Sequence, residues 1–276
     1  MRFYKFPIII TIIITFILIF INHFLDGSYW KNWELVPNIV NGCFCEHNYM
    51  ERFIRQPFNT WSNLAFLFFG IAILQQSLKS ESESGSENRK NNYLRRQPMI
   101  GICFSILLFI LFIGSFFFHA SLTVFFGETD MIGTYGIPLY LGMIAISRIM
   151  VYHNILKEKH AAFVCVLVSF VLGFLLAFKW LIIINMIITF GSLLAMVAFG
   201  TYYLFTRKNL QYNKKLFAVI VLVMLIACTL WILDHNNILC NPYSNIQGHS
   251  FWHVLDALAA YLMYEFFYSE KEIKLG

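Results

Sequence analysis

The chain has 276 residues, of which 59% are hydrophobic and 18% aromatic against only 13% charged, and its mean hydropathy is +0.65. These proportions exclude a soluble globular domain and place the chain in the membrane. The net charge of +5 comes without basic stretches interleaved with aromatic stacking residues, so it reflects topology and anionic headgroups, and no nucleic-acid partner is expected.

Runs of roughly 17 to 25 apolar residues, enough to cross ~30 Å of hydrocarbon, fall at about 7–25, 60–77, 99–121, 130–152, 161–178, 180–205, 216–233 and 249–268. Eight helices are therefore predicted in an all-α integral membrane protein, with the first standing apart. That run follows Arg2 and Lys5 and is not followed by a small-x-small cleavage site, so residues 1–25 read as a retained signal anchor, with a cleaved signal peptide as the alternative. Residues 26–276 read as one seven-helix domain, because no linker long enough to separate folded units interrupts them. Only Ser77 to Gln97 lacks apolar surface to bury, which predicts a mobile loop.

Charge asymmetry sets an expected orientation. With the N-terminus, the 78–98 loop, the Arg148–His160 stretch, the 206–215 loop and the C-terminus in the cytoplasm, only Lys31, Arg52, Arg55 and Lys179 face the other side. Cys103, Cys165 and Cys228 lie within helices and read as small core residues. Cys43, Cys45 and Cys240 all fall on the non-cytoplasmic side, where one disulfide with one thiol left over is compatible with an oxidising compartment, and three reduced thiols are the alternative.

Polar ionisable groups inside apolar helices cost several kcal/mol each by some insertion scales, so a cluster of them marks a functional site. Residues four apart share a helix face, which lets His249 and His253 bind one metal ion together. His119, in the last turn of the 99–121 helix, lies at the same predicted depth. Three imidazoles at one level form the ligand set of a catalytic zinc with an open fourth position. Ser115 lies one turn from His119 on the same face, and Asp130 opens the next helix across a short turn. Asp130 is the candidate general acid and base, and Ser115 the candidate donor to a developing oxyanion. Asp256, three residues after His253, faces the same way and either orients a ligand imidazole or serves as a structural partner. Asn59, Ser62 and Asn63 either bond between helices or support the metal site. His23, His47, His153, His160 and His235 read as interfacial residues.

Several spaced motifs resemble the alkaline ceramidase family: Cys45-Glu46-x-Asn48-Tyr49, Asn59-Thr60-x-Ser62-Asn63, Gly114-Ser115-x-x-Phe118-His119, Asp130, Trp231-x-x-Asp234 with Cys240, and Gly248-His249-x-x-Trp252-His253. The match runs in order from about Cys43 to Tyr261. It implies a seven-helix fold of the wider CREST superfamily, here preceded by an extra N-terminal helix. It also implies zinc on His119, His249 and His253, with Ser115 and Asp130 assisting hydrolysis of a ceramide amide to a long-chain base and a fatty acid. A Cys45–Cys240 disulfide is implied too, as is a calcium site that would include Glu46 and Asn48. Two acidic positions of that site are Cys43 and Gln56 here, and the family's Trp is Phe44, so calcium binding is expected to be weak or absent. A zinc hydrolase of another acyl lipid and a receptor or regulator with a structural zinc are the alternatives; the sequence leaves oligomeric state, acyl length and headgroup open.

Overall fold

The computed structural model describes residues 3–37, 44–82, 90–177, 186–238 and 240–273. Its helices are α1 (Lys5–Phe24), α2 (Pro57–Ser62), α3 (Leu64–Ser82), α4 (Tyr93–Arg96), α5 (Pro98–Ser121), α6 (Val124–Tyr152), α7 (Glu158–Ala177), α8 (Met186–Phe205), α9 (Lys214–His235) and α10 (Gly248–Tyr268). Two-residue strands, β1 (Leu210–Gln211) and β2 (Lys271–Glu272), pair antiparallel with Leu210 opposite Glu272. Among the described residues, seven helices are long and apolar enough to cross a membrane, counting α2 and α3 as one span. The chain is thus a multi-pass helical membrane protein. α10 is long enough at 21 residues, but His249, His253, Asp256 and Glu265 lower its hydropathy.

Two sequence expectations need adjustment. α6 begins at Val124, so Asp130 sits in its second turn and does not open it. Leu122, at φ 56°, makes the bend before it, a left-handed conformation that costs a bulky residue energy. Full burial against Phe118 holds Leu122 there, with Val36, Phe44, Met50 and Phe126 packed around the pair. α3 continues past Ser77 to Ser82, and α4 is helical, so part of the expected loop is ordered. Ser77 and Ser80 bond the hydroxyls of Tyr264 and Tyr268, and Asn92 caps α4 by accepting from the Arg95 N–H. Cys43, Lys179 and the 180–185 start of the sixth apolar run lie outside the described residues.

Contacts group the chain into two units. The first comprises Met1–Ala72, Leu108–Met131 and Val221–Ala259. In it the segment after α1 is pinned by Trp30, which stacks on Phe53 and donates its indole N–H to the Phe53 carbonyl at 2.8 Å. The second comprises Ile73–Leu107, Ile132–Ile220 and Ala260–Gly276. Its core stacks Phe104 between Tyr140 and Tyr264. There the buried Arg148 guanidinium donates to Glu270 at 2.9 and 3.0 Å and to Glu272 at 3.0 Å, while Arg96 pairs with Glu158 and Glu272. Buried charges persist only when paired in this way.

Candidate metal centre

The last carbonyls of a helix have no intrahelical partner. At the end of α5 those of His119, Ala120 and Ser121 accept from the Gln56 N–H at 3.1 Å, the Arg55 N–H at 3.1 Å and the Arg55 guanidinium at 2.5 Å. This docks the chain entering α2 against the turn that carries His119. Glu46 fixes the same segment from the other side: its two carboxylate oxygens accept from the backbone N–H groups of Phe58 and Asn59 at 2.7 and 2.8 Å, a side-chain cap at an N-terminus that favours negative charge. Burial pushes the Glu46 carboxyl up to about 7, against those two N–H bonds, which favour its charged form.

A second carboxylate positions α10. Asp234, near the end of α9, accepts from the His249 N–H at 3.0 Å and from the Cys45 N–H at 3.1 Å. The Cys45–Cys240 disulfide joins the same neighbourhood, with its Cα atoms 5.5 Å apart. The pairing implied by the family resemblance is therefore present, and one side chain holds both the disulfide strand and the helix start beside it.

His119, His249 and His253 are all buried and converge, with one candidate ligand atom from each lying within 4.8 Å of the others. The Nε2 atoms of His119 and His249 are 3.3 Å apart. Two nitrogens bound to one tetrahedral zinc at about 2.0–2.1 Å stand roughly 3.3–3.4 Å apart, so the spacing fits that ion. The other ring nitrogens carry matching information. Ser62 donates its hydroxyl proton to the Asn59 carbonyl at 2.9 Å, so its oxygen accepts from Nδ1 of His253 at 2.8 Å. Gln56 Oε1 faces Nδ1 of His119 at 2.7 Å. With Nδ1 protonated in both rings, each offers an Nε2 lone pair to a metal. Nδ1 of His249 is buried and has no partner among the described residues; Phe44 lies against that ring with centroids 4.1 Å apart and near His119 at 5.2 Å.

Ser115 and Asp256 both lie close to the Asp130 carboxyl, near enough to act on its charge. Gly114 makes that approach possible. A Cβ there would stand 2.6 Å from the Asp130 nitrogen, 2.7 Å from the Thr129 carbonyl carbon and 2.9 Å from the Asp130 Cα, all backbone atoms that cannot turn aside. Gly114→Ala is therefore expected to push α6 off α5, lower stability by about 1–3 kcal/mol as overpacking does, and part Ser115 from Asp130. Thermal unfolding and lipid turnover of the purified variant check this, and wild-type values in both would refute it.

The sequence-derived residues thus come together, with two differences of role. The ring partners of the histidines are Gln56 and Ser62, so the imidazole-orienting role considered for Asp256 belongs to Ser62 at His253. Gln56, Asp234 and Phe44 were not legible as neighbours of the site, because their partners lie far away in the chain and no spacing rule connects them. Of the calcium candidates, Glu46 is engaged in capping α2, and Asn48 accepts from Gln56 Nε2 at 2.7 Å. His47, His153 and His235 stay outside the cluster, against Tyr243, Tyr203 and Trp231.

Comparison with curated proteins finds no match. A family model described as Ceramidase matches residues 41–272, which contain the three histidines, Ser115, Asp130 and both disulfide cysteines. The chain belongs to the ceramidase family, whose members hydrolyse the amide bond of ceramide.

Proposed function

We propose that this protein is a zinc-dependent lipid amidohydrolase, cleaving ceramide or a ceramide-like lipid into a long-chain base and a fatty acid. The observation that carries the reading is the buried three-histidine cluster, with a 3.3 Å spacing between Nε2 atoms and two rings held from behind in the ligating tautomer. Zinc bound there supplies Lewis acidity toward the amide carbonyl and lowers the pKa of water toward about 7.

The chain supplies the remaining steps. Asp130 takes a proton from the attacking water and delivers it to the amide nitrogen as the C–N bond breaks, so that the base leaves as an amine and the carbonyl carbon ends as a carboxylate. Ser115, close to Asp130, is placed to donate its hydroxyl proton to that carboxylate while it is ionised. Once Asp130 is protonated it accepts less strongly, which frees the Ser115 hydroxyl to donate to the developing oxyanion. Phe44 covers two of the histidine rings and limits their access to water.

The proposed orientation places both chain ends in the cytoplasm and the metal site toward the opposite face, supported by the distribution of Lys and Arg and by a disulfide, which forms and persists in an oxidising compartment. Residues 1–25 act as an anchor in this reading, supported by the exposed Ile and Phe side chains along α1. Calcium dependence is proposed to be weak, because Glu46 already accepts two backbone hydrogen bonds.

The test is turnover of a panel of fluorescent N-acyl and ester lipids by the purified protein. Zinc chelation is expected to abolish hydrolysis of the N-acyl lipids, and selective calcium chelation to reduce it only slightly. Turnover confined to esters would change the substrate class, and a zinc-loaded protein that hydrolyses nothing would favour a receptor. Steep calcium activation lost in Glu46→Gln would establish a functional calcium site.

A further inference from the structure

Gln56 transfers no proton in the chemistry proposed above, yet it is wholly buried and its backbone N–H and both ends of its side-chain amide are engaged. Its backbone N–H donates to the His119 carbonyl, and its side-chain oxygen lies 2.7 Å from Nδ1 of the same residue. One residue therefore grips both the main chain and the ring of a single histidine. The far end of its amide is also held, since Nε2 donates to Asn48 Oδ1 at 2.7 Å, and the near end takes a second bond from Asn59 Nδ2 to Oε1 at 3.3 Å.

The direction of this chain of bonds is tied to the metal. An amide turned end for end would present N–H groups to Nδ1, which could then only accept, leaving the proton on Nε2 and making that atom useless as a ligand. With Nε2 on a metal, Nδ1 must carry the proton and Oε1 must face it. Ligating histidines generally give their second N–H to an acceptor of this kind, which sets tautomer and orientation and raises ligand basicity.

We propose that Gln56 is a positioning residue for the metal site: it holds His119 in the Nδ1–H tautomer with Nε2 aimed at the ion, and it links that ligand to Asn48 through a neutral amide. The proposal rests on the zinc reading of the histidine cluster. The amide is the only side-chain group of suitable length that both accepts from His119 and donates to Asn48. A carboxylate keeps the first bond and loses the second, and Leu keeps neither while filling similar space.

The full-length protein in detergent is titrated with zinc against a competing chelator, and the cobalt-substituted protein is examined by visible absorption. Gln56→Leu is expected to weaken zinc by about 10- to 100-fold, the usual consequence of removing such a partner, and to alter the cobalt bands as His119 reorients. Gln56→Glu restores the acceptor, so its zinc affinity is expected to return most of the way to wild type even though the bond to Asn48 is gone. A role confined to fold stability predicts the reverse order, because Gln56→Glu adds a buried charge to the segment whose next turn the Glu46 carboxylate already caps. Wild-type zinc affinity and cobalt bands in Gln56→Leu, or an equal loss in Gln56→Glu, would overturn the proposal while leaving the zinc reading intact. A wild-type protein that binds neither zinc nor cobalt would overturn both.

Discussion

The His253→Ala protein is expected to fall from about one zinc per chain to a trace, and to lose all lipid hydrolysis above background. His253 supplies one of three imidazoles in a buried cluster, and two remaining rings leave a site with too few ligands to hold the ion against water. A catalytic metal contributes several kcal/mol of transition-state stabilisation, and each ~1.4 kcal/mol is tenfold in rate, so the loss should exceed roughly 10³-fold. Membrane insertion should be unaffected, because the apolar length of the helices is unchanged. His119→Ala and His249→Ala are expected to behave alike. Metal analysis decides the matter, since full zinc occupancy in His253→Ala would remove that residue from the ligand set.

Asp130→Asn isolates proton transfer from metal binding. The amide has the size of the carboxyl and can still accept from Ser115, so zinc should remain bound, while the catalytic rate should drop by about 10²–10⁴-fold, the usual contribution of a positioned general acid and base. The measurement is single-turnover hydrolysis at equal zinc loading. A near-normal rate would move the role to Asp256, which lies within interaction range of Asp130 on the helix that carries His249 and His253.

The sequence by itself determined the membrane class, because 59% hydrophobic content and apolar runs of spanning length permit no soluble fold. It also singled out the three histidines that converge in the structure as candidate metal ligands. Helical period places His249 and His253 on one face, and position along an apolar run sets depth, so His119 could be matched to them without knowing any packing. The start of α6 was misplaced for a local reason. The polar Glu128-Thr129-Asp130 reads as a helix boundary, yet helical hydrogen bonding begins at Val124, set by the turn at Leu122 and by the docking of Glu34, whose carbonyl accepts from the Val124 N–H.

Only the tertiary structure decided what holds the three histidines. Gln56 meets His119 across 63 positions of sequence and Ser62 meets His253 across 191, and neither residue type nor spacing announces such a pairing. Likewise, Asp234 stands in the sequence as a motif residue without a role, and becomes the cap of α10 only when Cys45 and Gly248 are brought to it. Period and hydropathy are properties of consecutive residues and survive in a sequence. Hydrogen bonds between distant segments depend on which helix faces meet, and that is set by packing, where Gly114 admits the Asp130 backbone at a distance no other residue would allow.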